Sequence, residues 1–189
     1  MTARRLGLFG GTFDPPHRGH VAALGAAART GRFDCIEVTV AGDPYQKSFH
    51  GGVRSAQVRL AMARAAFSNL DLVVVSDREL LRTGPSYTLD TVRELLQVAN
   101  EVDLLVGADL AAQIESWHGA EELRSLVRVG VVPRPGGSSR VADGWDYYEI
   151  PMEPVDLSST FIRDSSMDLE ELAKFLPEAV IPLFMGSRV

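Results

Sequence analysis

The chain carries one cysteine in 189 residues. A lone Cys35 excludes an internal disulfide and a cysteine-built zinc site, and suits a reducing compartment. Its neighbours Ile36 and Val38 are apolar, so it reads as a buried structural thiol rather than a nucleophile. Positive charge is also short: 19 Lys plus Arg against 25 Asp plus Glu, a net charge of −6. That argues against a nucleic-acid binder, whose affinity rests on many Lys and Arg contacts to phosphates. A single nucleotide needs only a local basic cluster and stays compatible. No apolar run approaches the roughly 20 residues of a membrane helix. The start, with Arg4 and Arg5, lacks a signal-peptide pattern. A cytoplasmic protein with no membrane partner is the expectation. Internal repeats and long low-complexity segments are absent too. So is the Gly-x-Gly-x-x-Gly fingerprint after the first apolar run, which disfavours an NAD-dependent dehydrogenase.

What is present is alternation. Apolar or β-branched runs at 6–9, 36–40, 72–75, 102–106, 127–132 and 146–150 predict strands. Helical spacing or helix-forming composition fills 20–29, 54–67, 89–98, 121–126, 156–163, 169–176 and 179–185, with a short helix leading from 108 towards Trp117. On the second helix the apolar positions are Val58, Ala61, Met62, Ala65 and Ala66. Thr88 is a candidate cap for the third. Strands alternating with helices predict an α/β chain: a Rossmann-like, doubly wound parallel sheet with helices on both faces and a C-terminal helical segment. The size and the hydrophobic fraction of 46% suit one domain over 1–189, helical from about 150 onward. In such sheets ligands bind beyond the carboxyl ends of the strands. Polar stretches follow the strands at 10–20, 44–47, 107–109 and 134–136, and so converge on one rim.

The first of these stretches, Gly10, Gly11, Thr12 and Phe13 followed by His17 and His20, runs from a strand into a helix start. A helix N-terminus offers free N–H groups and a positive dipole end, which suit a phosphate, and glycines let the backbone approach it. Both imidazoles can donate to phosphate oxygens. Exposed loop histidines or a capping pair are the alternatives; a zinc site lacks a third ligand nearby. Near the other end Ser158, Ser159 and Thr160 are strong cap types at a helix start, and Arg163 shares the face of Ser159 and Thr160. They suit a second phosphate cradle, with a solvated, capped surface helix as the alternative. Asp109 after Gly107 suits a ribose or a helix cap, and Trp117 offers an aromatic face.

The run Gly-Gly-Thr-Phe-Asp-Pro-Pro-His-x-Gly-His at 10–20 resembles the opening motif of the nucleotidylyltransferase superfamily. Its form is most similar to bacterial nicotinate-nucleotide adenylyltransferases. So are Gly84 to Thr91, Gly107-Ala108-Asp109 with Trp117 downstream, Arg134-Pro135-Gly136, and Ser158 to Arg163, in that family's order. The resemblance implies transfer of the adenylyl group of ATP to nicotinate mononucleotide, releasing pyrophosphate, with Mg2+ held mainly through ATP phosphates and no dedicated metal ligands. It implies that Gly10, Gly11, Thr12, Phe13, His17 and His20 hold ATP. Lys47, Ser158, Ser159, Thr160 and Arg163 would join them at the phosphates. His17, His20, Lys47 and Arg163 carry the catalysis in this reading. Gly107 and Asp109 would take a ribose, and Tyr87, Thr88, Trp117 and Arg134 the nicotinate mononucleotide. The family often has Pro-His before the lysine, where this chain has Tyr45-Gln46. Phosphopantetheine adenylyltransferase and a non-catalytic nucleotide-binding protein are the rival readings. The segment 42–52 reads equally as a mobile lid or an ordinary loop. Self-association and the choice between nicotinate and nicotinamide are left open.

Overall fold

The structure is a computed structural model that describes residues 4–42, 53–136 and 139–187. Among these, six strands form one sheet: β1 (Arg5–Gly11), β2 (Cys35–Val40), β3 (Val73–Ser76), β4 (Glu101–Gly107), β5 (Val127–Val132) and β6 (Tyr147–Glu149). Their order is β3-β2-β1-β4-β5-β6, and every neighbouring pair is parallel. The helices are α1 (Arg18–Arg29), α2 (Ala56–Phe67), α3 (Arg78–Leu81), α4 (Thr88–Leu95), α5 (Ala108–Ala111), α6 (Ala120–Leu126), α7 (Ser159–Asp164), α8 (Leu169–Phe175) and α9 (Ile181–Gly186).

Each strand feeds side chains alternately to the two faces. On one face Leu24 and Ala27 of α1, Met62 and Phe67 of α2, Leu172 of α8 and Phe184 of α9 pack with Ile36, Val38 and Leu105. On the other, Leu89, Val92 and Leu95 of α4 and Leu123 of α6 pack with Leu104, Val106 and Val129. Helices therefore cover both faces, as a doubly wound sheet requires. The C-terminal helices α8 and α9 join the first face.

The strand order reverses between β1 and β4. Pairing of β1 with β2 continues to Gly11 with Val40, and that of β4 with β5 to Gly107 with Val132. Pairing of β1 with β4 stops at Leu8 with Leu104. The two central strands thus part at their carboxyl ends. This is the crevice in which open α/β sheets bind ligands.

Several local expectations shift. The glycines Gly10 and Gly11 do not end β1 but form its last two residues. Helix α1 starts at Arg18, which puts His17 at its cap and His20 in its first turn. The buried face of α2 holds Met62, Ala63 and Ala66, while Ala61 is exposed. Alanine tolerates either side, so it marks helical phase weakly. Thr88 is the first residue of α4; Tyr87 holds the cap position. Helix α4 ends at Leu95 rather than at 98, and the four-residue α3 was not foreseen. Cys35 is half-buried, with burial raising its thiol pKa. Among the described residues, no helix is long and apolar enough to cross a membrane.

Candidate active site

A cleft of about 380 Å³ opens where β1 and β4 part. Gly10, Gly11, Thr12, Phe13, His17 and His20 line it from the β1 side, and Gly107 and Asp109 from the β4 side. Thr88, Trp117 and Arg134, with Ser158, Ser159 and Thr160, complete the predicted residues in its wall. Residues far apart in the sequence therefore meet at one rim.

The loop after β1 is tightly built. Phe13 adopts φ 52°, an uncommon left-handed conformation for a residue with a side chain. Its ring lies over Gly11, where a Cβ would come within 2.9 Å of it, so only glycine fits there. Gly19 has the same relation to His17: a Cβ would lie 3.0 Å from the His17 Nδ1. The glycine inside His-x-Gly-His thus makes room for the first histidine's ring.

The two imidazoles stack, with centroids 3.7 Å apart and planes 23° from parallel. The edge of the Phe13 ring also meets His20, at 5.2 Å. The His17 backbone N–H donates to the His20 Nδ1 at 3.1 Å. A nitrogen that accepts carries no proton, so the proton of the neutral His20 ring sits on Nε2. His17 is 1% exposed, and neither of its ring nitrogens has a hydrogen-bond partner among the described residues. Burial, and then the positive charge of Arg134, push its pKa down to about 4. His17 is therefore neutral at pH 7 in the free protein. A polyanion beside it would favour its charged form.

Behind this loop lies a polar cluster that sequence reasoning missed. The Asp14 carboxylate accepts from the Arg54 backbone N–H at 3.0 Å and from its Nη1 at 2.9 Å. Arg59 donates to the carbonyls of Arg54 and Thr12 at 2.9 Å each and of Gly42 at 3.3 Å. One signal was available. Arg59 stands three, four and seven residues before Met62, Ala63 and Ala66, on the apolar stripe of α2. Glu79, also in the cleft wall, was missed too; it accepts from the Thr91 hydroxyl at 2.8 Å.

The C-terminal cradle is attached to the first loop. The Ser158 hydroxyl caps α7 by accepting from the Phe161 N–H at 3.1 Å. Ser159 donates to the Pro15 carbonyl at 2.8 Å, and Arg163 donates to the Asp14 carbonyl at 3.0 Å. Arg163 itself lies outside the cleft wall, held also by Asp164 at 3.6 Å. Arg134 donates to the carbonyls of Leu157 at 2.6 Å and Val155 at 3.3 Å, with its Nε 3.7 Å from the Asp109 carboxylate. The Trp117 indole N–H is buried without a partner among the described residues. Tyr87 stacks on His118 at 4.0 Å, outside the cleft wall. Lys47 lies outside the described residues. Among those described, no three His, Cys, Asp or Glu side chains are grouped to hold a metal ion.

Residues 8–165 match the cytidylyltransferase-like family. A protein of Shouchella clausii named "Probable nicotinate-nucleotide adenylyltransferase" is 36% identical over 179 residues, which covers 94% of this chain and 92% of that protein. The chain belongs to the nicotinate-nucleotide adenylyltransferase family. Members of that family also share the fold at much lower identity. The Plasmodium falciparum nicotinic acid mononucleotide adenylyltransferase complexed with APC superposes with a TM-score of 0.75 at 19% identity, over 97% of this chain and 95% of that one. The same enzyme complexed with NaAD gives 0.77 at 17% identity, with the same coverage. In this nicotinate-nucleotide adenylyltransferase family member, the parting of β1 and β4 and the cleft residues around it all lie within the matched residues 8–165.

Proposed function

We propose that the chain transfers the adenylyl group of ATP to nicotinate mononucleotide, giving nicotinate adenine dinucleotide and pyrophosphate, a step of NAD biosynthesis. The observation that carries this reading is the stacked His17 and His20 pair at the start of α1, facing the cleft between β1 and β4. A phosphate oxygen of the mononucleotide attacks the α-phosphorus of ATP in line. The new P–O bond forms as the bond from the α-phosphorus to the bridging oxygen breaks, and pyrophosphate leaves with that electron pair. No covalent enzyme intermediate is required. Catalysis is positioning plus stabilisation of the charge that builds on phosphate oxygens.

In this reading His20 donates from Nε2 and His17 from a ring nitrogen that the protein itself leaves unpaired. Gly10 to Phe13 bring backbone close to the phosphates. Ser158, Ser159 and Thr160 take the departing pyrophosphate, Arg163 supports them through the Asp14 carbonyl of the first loop, and the family likeness assigns Lys47 to the same phosphates. Asp109 accepts from ribose hydroxyls, and Thr88, Trp117 and Arg134 border the pyridine side, with Tyr87 at its edge. The donor set suits Mg2+ ligated by phosphate oxygens and water rather than by a protein cage; when bound, it neutralises phosphate charge. The test is to offer ATP with nicotinate mononucleotide, nicotinamide mononucleotide or phosphopantetheine and to measure pyrophosphate release. Release with the first acceptor is expected. Release only with phosphopantetheine, or with none, overturns the assignment.

A further inference from the structure

We propose that Arg59 is a positioning residue for this reaction: it turns the peptide between Thr12 and Phe13 so that the Phe13 N–H faces the cleft. The inference deepens the reading of the loop after β1 as a phosphate site and rests on it.

Arg59 is 2% exposed and heads the fully buried side chains in size. A guanidinium in that position is costly unless its donors are used. Among the described residues its three hydrogen bonds go to backbone carbonyls, and the Thr12 carbonyl is one of them. A trans peptide is planar, with its C=O and N–H pointing opposite ways. Drawing the Thr12 oxygen back towards α2 therefore sends the Phe13 N–H the other way, out of the core and into the space that Thr12 and Phe13 line. The φ of 52° at Phe13 is the backbone distortion that goes with this arrangement. An apolar side chain from α2 would fill the same volume but leave that carbonyl free to rotate.

The third bond, to Gly42, ties the same guanidinium to the chain just beyond β2. Gly42 is seated closely on α3, since a Cβ there would lie 2.6 Å from the Glu79 carbonyl. Arg59 thus sets the distance between two backbone segments at the rim, one after β1 and one after β2. The neighbouring Asp14–Arg54 pair holds the following turn of the same loop.

The test compares Arg59→Lys and Arg59→Gln with Met62→Ala, a core truncation on the same face of α2. Three quantities are read: kcat and KM for pyrophosphate release, the thermal midpoint, and the Phe13 amide resonance in protein titrated with inorganic pyrophosphate. Wild type should show a Phe13 amide shift on titration. Arg59→Lys should keep a cooperative thermal transition, lose about 100-fold in kcat, and lose the Phe13 response; Arg59→Gln should match it. Met62→Ala should lower the thermal midpoint with kcat and the Phe13 response unchanged. A kcat within about threefold of wild type in Arg59→Lys, a normal Phe13 response in either arginine variant, or an equal kcat loss in Met62→Ala overturns the proposal. If wild type releases no pyrophosphate yet its Phe13 amide responds and the arginine variants abolish that response, the reaction falls and the positioning role stands.

Discussion

The loop after β1 and the cradle at α7 face one cleft but are held in opposite ways. The first is built from the inside. Its shape comes from a strained Phe13, from glycines that admit rings, and from the buried side chains Asp14, Arg54 and Arg59 beneath it. The second is built from the outside. Only Ile162 of α7 is fully buried, and the segment is fastened by Ser159, Arg163 and Arg134 to carbonyls or by carbonyls of its own. The difference teaches where rigidity resides: the first loop is part of the folded core, and the second takes its position from the first.

The largest expected effect strikes the core side. Asp14→Ala leaves Arg54 and Arg59 buried without their carboxylate and should lower unfolding stability by about 3–5 kcal/mol in urea titration. A loss within the error of the measurement would break the comparison. Next comes His20→Ala, which should reduce kcat by about 100- to 1,000-fold with unchanged circular dichroism. Near-normal turnover would remove His20 from the chemistry.

A pH effect of similar size belongs to His17. Its folded-state pKa is lowered from 6.5 to about 4. Between those values the unfolded chain binds a proton there and the folded protein does not. Stability from this group is therefore fully present above pH 6.5 and falls as pH drops towards 4, by about 3 kcal/mol, then stays level. His17→Asn should lose correspondingly less across that window in urea titrations at the two pH values. Equal losses would show that His17 already protonates in the fold. The smallest effect belongs to the outer cradle. Ser158→Ala removes the cap of α7 and should cost about 1 kcal/mol in thermal unfolding. A loss as large as that of Asp14→Ala would mean that α7 is as integral to the core as the loop it borders.

The sequence made the strands and helices legible because β-branched runs and helical spacing are local signals, whereas the glycines expected to stop β1 and β4 lie inside them. Ile36 to Val40 and Val127 to Val132 form strands as their composition demands. His17 and His20 were legible because their spacing sits at a helix start. The strand order was not legible, nor was the parting of β1 from β4 after Leu8, since both depend on which distant strands pair. Arg59 escaped because its partners are carbonyls 47 and 17 residues away, and a backbone oxygen leaves no mark in a sequence. Tyr87 was assigned to the pyridine side by likeness; its stacking on His118 joins two side chains 31 positions apart. Helix α3 escaped for its length: its first residue, Arg78, is clamped by Glu37 and Glu94 rather than by any helical pattern.

The match to the cytidylyltransferase-like family stops at residue 165, but the contacts that shape the cleft do not. Arg18, which follows His17, donates to the Ala173 carbonyl at 3.0 and 3.2 Å. The Arg54 guanidinium lies 4.1 Å over the Phe184 ring and donates to the Ser187 hydroxyl at 3.0 Å. For anyone shortening or fusing this chain, the boundary at residue 165 is thus the wrong place to cut. A chain trimmed there would keep every motif residue and lose the apolar floor under the arginine that holds Asp14.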